Sequence, residues 1–192
     1  MTRTPGAEAW DTTRPYRVFV DESEVGGYSM TAVYVRPADV HRLRSELRGH
    51  LKPGQRSIHF TKERPEVRRA VLRAITTMPV RAEIYQVEHR TRASRSTCLR
   101  AVAMANREGR CQQIVLDQND SVLNQNDSVL NMDRRVLGEV LGHGWGGTYD
   151  HLHDHSEPLL WLPDAVSWAW HRGGEWRRAL EGLDITVTAL GL

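Results

Sequence analysis

The sequence predicts an α/β fold: an antiparallel hairpin, then alternating helices and strands, giving a mixed sheet flanked by helices. Three observations predict it. Two runs rich in β-branched and aromatic residues, Tyr16 to Asp21 and Tyr28 to Val35, flank a turn that contains Gly26-Gly27. Glycine takes positive φ freely, so the pair suits a hairpin. Downstream, apolar residues recur at helical spacing in stretches separated by strand-like ones. The third observation is Ile114-Val115-Leu116, an unbroken apolar run that suits a central strand covered on both faces.

Taken in order, Pro37 and Asp39 open a helix whose stripe is Val40, Leu43, Leu47 and Leu51, ended by Lys52-Pro53-Gly54. Ser57 to Phe60 reads as a short strand. Pro65 and Glu66 open a second helix with Val67, Val71, Ile75 and Met78 inside. Val80 to Glu88 alternates and reads as a strand. Residues 94–107 form a third helix, with Leu99, Val102 and Ala103 on one face. The strand 112–117 follows, then a helix, a polar histidine-rich stretch, a tryptophan-rich helix near 163–171 ended by Gly173-Gly174, and a last strand at 185–190.

One segment is repeated: QNDSVL occupies 118–123 and again 125–130. The seven-residue offset is close to two helical turns, so a duplication lengthens a helix with little rotation of its face. A helix over 119–142 is therefore a candidate homodimer surface.

The chain has 192 residues, 40% hydrophobic and 26% charged. This suits one domain over 15–192, preceded by a polar stretch, 1–14, that reads as a flexible tail. No apolar run reaches 18 residues, so no membrane span is expected, and the N-terminus lacks a signal-like apolar stretch. Cys98 and Cys111 have no metal-ligand spacing and read as reduced thiols of a cytoplasmic protein. Net charge is only +2, yet residues 41–110 hold 17 Lys/Arg against 6 Asp/Glu. Nearly all the basic residues are arginines, whose planar fork matches phosphate. The bland explanation is solvated helix faces; the functional one is a nucleic-acid surface.

Three aspartates carry the candidate chemistry. Asp21 and Asp117 end apolar strand-like runs, and Asp164 follows Pro163 at a helix start. Carboxylates at strand ends, joined by one from a helix start, can converge on a divalent cation, because magnesium seeks hard oxygen ligands.

Four patches in order add to this: Asp21-Glu22-Ser23 after a strand, Ile58-His59-Phe60, Leu116-Asp117, and Pro158-Leu159-Leu160-Trp161-Leu162-Pro163-Asp164-Ala165. Together they resemble the domain of unknown function 3800 family over roughly residues 16–180. The resemblance implies a ribonuclease-H-like sheet and an acidic site for Mg2+ or Mn2+. On that basis the expected site is Asp21, Asp117 and Asp164 as metal ligands, with Glu63 completing it. Glu22 and Glu88 compete with Glu63 for that place. His59 is a candidate for phosphate contact or proton transfer. Lys62, Arg64, Arg68, Arg92 and Arg95 are expected to hold a nucleic-acid backbone. The expected activity is metal-dependent cleavage of RNA or DNA phosphodiesters; the alternative is an inactive nucleic-acid-binding or regulatory module on the same fold.

Two other clusters read as structural by default. His151, His153 and His155, with His143 upstream, fail the spacing of a zinc-hydrolase motif, although His151 and His153 could share one side of a strand. Trp161, Trp168, Trp170 and Trp176 read as core first and as base-stacking groups second.

Overall fold

A computed structural model describes residues 10–118 and 126–191. Its centre is a six-stranded sheet in the order β5-β4-β1-β2-β3-β6. Strands β1 (Tyr16–Ser23), β2 (Tyr28–Val35) and β3 (Arg81–Val87) form an antiparallel meander. Strand β4 (Cys111–Asp117) runs parallel to β1, β5 (Thr148–Leu152) parallel to β4, and β6 (Asp184–Ala189) parallel to β3. The mixed α/β architecture is the one the sequence predicts. The β1–β2 turn needs its glycines: Gly27 has φ +123°, and a Cβ there would stand 2.4 Å from the Val87 carbonyl oxygen.

Alternation along the strands divides the core in two. Phe19, Val33, Ala82, Ile84 and Val115 face one layer; Val18, Val20, Ala32, Ile114 and Leu116 face the other. The first layer contains α1 (Val40–Arg48), α2 (Pro65–Ile75) and α5 (Trp161–Arg172). The second contains α3 (Ser94–Asn106) and α4 (Asn126–Leu141). A short helix α6 (Gly174–Arg178) follows α5 after Gly173, whose φ of +71° ends the helix. In α2, Pro65 stands at the first turn, where its missing N–H costs nothing, and Arg64 before it is extended. Among the described residues no helix is long and apolar enough to cross a membrane.

Several expectations change. Residues 57–60 are not a strand; Ile58 and Phe60 are nonetheless buried, which explains their strand-like look. The histidine-rich stretch contains β5, an edge strand. Helix α5 starts at Trp161, so Pro163 lies inside its first turn, a position that still requires no intrahelical N–H bond. Of the tail, residues 1–9 lie outside the described residues, but 10–14 are docked. Trp10 packs edge-on to Tyr16 and Tyr34, and Arg36 covers its ring at 4.0 Å while donating to the carbonyls of Asp11, Arg14 and Pro15. Most of the repeat, 119–125, lies outside the described residues. Further along α4, Val136 and Leu137 are buried beside α3, so that part of the stripe proposed for dimerisation is spent within the chain.

Candidate functional site

The register of β1 and β4 brings two of the aspartates together. Val20 pairs with Leu116 on the neighbouring parallel strand. The next residue on each strand is Asp21 and Asp117, and period-two alternation puts both on the face of Phe19 and Val115. That face is covered by α5, which carries Asp164 in its first turn. The Asp21 carboxyl feels the other two. Burial, then Asp164, then Asp117 hold the Asp21 carboxyl well above the usual carboxylate range, against the pull of the Glu22 N–H, which donates to Asp21 Oδ1 at 2.7 Å.

Asp164 is held from the other side by the segment before α2. The Phe60 N–H donates to Asp164 Oδ2 at 2.9 Å. Burial and nearby Asp154 push the Asp164 carboxyl up to about 6, although the Phe60 bond and His59 draw it down. His59 Nε2 lies 3.2 Å from Asp154 Oδ2, so it belongs to the rim of this site. Among the described residues, no three His, Cys, Asp or Glu side chains are gathered closely enough to hold a metal ion as they stand.

Glu63, expected as the fourth carboxylate, has partners of its own. Glu63 is buried, and its oxygens are taken by Gln55 and by Lys52 Nζ at 3.2 Å, a pairing that secures the loop before α2. Glu22 is the carboxylate beside the trio, but it points to the other layer. There it accepts from Tyr28 and Arg95, and Arg95 also forks onto Asp133 at 2.9 and 2.8 Å. His151 Nε2 is 3.0 Å from Asp133 Oδ2. Burial would raise the fully enclosed Asp133 carboxyl, but His151 and Arg95 more than offset it and hold it below the usual range. His151 is therefore paired with a carboxylate, while His153 stacks with His155.

Two arginines expected at phosphate are occupied as well. Arg95 is spent on Glu22 and Asp133. Arg68 donates to the carbonyls of Phe60 and Thr61 at 2.6 and 3.0 Å and lies over the Trp168 ring at 4.4 Å. It braces the segment whose N–H holds Asp164. Lys62, Arg64 and Arg92 are exposed and make no ion pair with a described residue.

Beside Asp164 a cleft of about 410 Å3 opens between the β1–β2 turn and α5. Ser23, Thr61, Ser167, Trp168, His171 and Arg172 line it. His171 Nε2 lies 2.9 Å from Ser29 Oγ. Sequence reasoning passed over Ser167 and His171, yet they stand three and seven residues after Asp164, the spacing of one helical face.

No protein-family model matches the chain, and no curated protein matches it. Among solved structures, the chain is similar to one described as the PCNA:RNase HII complex from Archaeoglobus fulgidus, with a TM-score of 0.50 at 18% identity. The match covers 86% of this chain and 73% of that one. At that identity the likeness is one of fold: a ribonuclease-H-like sheet.

Proposed function

We propose that the chain is a divergent member of the domain of unknown function 3800 family and a divalent-metal-dependent nuclease acting on RNA or DNA in the cytoplasm. The observation that carries this reading is the placement of Asp21 and Asp117 at the ends of adjacent strands beneath the helix that carries Asp164, with Asp21 and Asp164 both held protonated more readily than ordinary carboxyls. A cluster of hard oxygen donors whose charges repel suits Mg2+ or Mn2+. These three aspartates would hold the ion. Once bound, a divalent cation supplies charge stabilisation at a phosphoryl oxygen and a more acidic water.

The chain's own groups do the rest. Phe60 N–H and Glu22 N–H fix one oxygen each of Asp164 and Asp21. His59, on the rim with Asp154, stands where a proton could be passed to or from solvent. Lys62, Arg64 and Arg92 offer exposed charge to a phosphate backbone. The test is calorimetric titration with MnCl2 and MgCl2 of the wild-type chain and Asp21→Asn, followed by a cleavage screen over RNA and DNA. Metal binding that disappears in the variant, with metal-dependent cleavage, is the expected result; no binding by the wild type and no cleavage would end this reading.

One observation favours a second reading, a nucleic-acid-binding module without turnover: the described acidic side chains are not drawn together tightly enough to hold an ion. That module would bind nucleic acid in a salt-sensitive way, and Asp21→Asn would leave the binding intact.

A further inference from the structure

We propose that the cleft beside Asp164 is a nucleotide subsite that accepts one unstacked nucleoside monophosphate, its base or sugar against Ser167 and Trp168 and its phosphate toward Arg172. The proposal deepens the nuclease reading and rests on it for its place in a reaction: the cleft shares Asp164 with the acidic cluster, so its occupant would be the unit next to the bond being cut.

Four observations carry the assignment. Ser167 is only 3% exposed and lines the cleft, and its Oγ has no hydrogen-bond partner among the described residues. A buried hydroxyl left in that state calls for a ligand or a water. Trp168, on the next position of α5, is locked: Phe60 and Trp176 pack against it and Arg68 covers its ring. A ring fixed in advance loses little freedom when it meets a base, and stacking tolerates any base. Charge decides which part of a nucleotide goes where. Glu22 and Glu24 on the turn side are already matched by Arg95 and Arg90, the latter at 2.7 Å. Arg172 is exposed and forms no ion pair with a described residue, which leaves it as the cation for a phosphate. Finally, His171 is held below its ordinary value by burial and by Arg177, so near neutral pH it adds a polar, uncharged edge. The cleft's size, about 410 Å3, lies in the range of small-molecule sites and is too small for a duplex.

The experiment is binding of nucleoside 5′-monophosphates to the full chain, without added metal, followed by calorimetry or chemical-shift titration, with ribose 5-phosphate as the control. The proposal predicts saturable binding of the nucleotides and several-fold weaker binding of ribose 5-phosphate. Ser167→Ala should weaken nucleotide binding by roughly 3- to 10-fold, the loss of one hydrogen bond, while leaving the melting temperature unchanged or raised. Arg172→Gln, at an exposed position, should weaken nucleotide binding and reduce its salt dependence. Equal binding of ribose 5-phosphate, no binding of any nucleotide, or wild-type affinity in both variants would overturn the subsite. A melting temperature sharply lowered by Ser167→Ala would overturn it too, because the hydroxyl would then be serving the fold. Leaving metal out separates the two readings: nucleotide binding by a chain that neither takes up Mn2+ nor cleaves RNA or DNA keeps the subsite and ends the nuclease, and cleavage without nucleotide binding does the reverse.

Discussion

Asp21 and Glu22 are consecutive residues on one strand, yet the two layers treat their charges in opposite ways. On the α3–α4 side, Glu22 and Asp133 are answered by Arg95 and His151, and Asp133 is held as an anion more firmly than in water. On the α5 side, Asp21 meets two further aspartates and is held toward its neutral form. A charge that the fold answers is there for structure. A charge that the fold leaves in conflict lowers stability, and such conflict clusters at functional sites.

The comparison can be broken most forcefully at Arg95. Removing its guanidinium leaves Asp133, which is 0% exposed, with His151 alone. Arg95→Ala should cost about 3–5 kcal/mol, the usual consequence of an unpaired buried charge. Urea unfolding would measure it, and a loss below about 1 kcal/mol would mean that the network is ornamental.

The α5 side should behave in the opposite sense. An Asp whose folded-state carboxyl is raised binds protons more tightly when folded than when unfolded. Its contribution is therefore fully present below the unfolded value near 3.8 and is lost as pH rises through the folded value, about 6 for Asp164. The loss from Asp164 alone is on the order of 3 kcal/mol, shared with Asp21, whose carboxyl feels Asp164. Asp133 works the other way, adding stability above 3.8 that is lost only at lower pH. The metal-free chain should thus lose stability between about pH 4 and pH 7. Asp21→Asn should flatten that slope and raise stability at pH 8. Unfolding curves at several pH values decide the matter; a variant less stable than wild type at pH 8 would contradict the assignment.

The smallest effect is expected at Glu63. Glu63→Gln removes the ion pair with half-exposed Lys52 and should cost about 1 kcal/mol. Its response to Mn2+ should match that of the wild type. A lost response would add Glu63 to the proposed metal site.

The parts of this comparison differ in how far the sequence reveals them. The hairpin, the first three helices and the aspartates at 21 and 117 could be read because apolar periodicity and strand ends are local signals. Strand β5 could not: Thr148-Tyr149-Asp150-His151-Leu152 is an edge strand with half-exposed residues, and its pairing with β4 comes from a partner 35 residues away in the chain. The roles of Arg95, Arg68 and Glu63 were also hidden, because an arginine or glutamate looks the same in a sequence whether it faces water or a buried partner. One clue was present. Asp133 interrupts the α4 stripe that runs through Val129, Val136, Leu137 and Val140, and a charge on an apolar face announces a buried partner.

The most direct test is carbon-13 carboxyl titration of Asp21, Asp164 and Asp133 by NMR, with and without MgCl2. The account predicts Asp21 and Asp164 titrating above 3.8 without metal and falling on its addition, while Asp133 titrates below 3.8 and does not respond. Values near 3.8 for all three, indifferent to Mg2+, would contradict it.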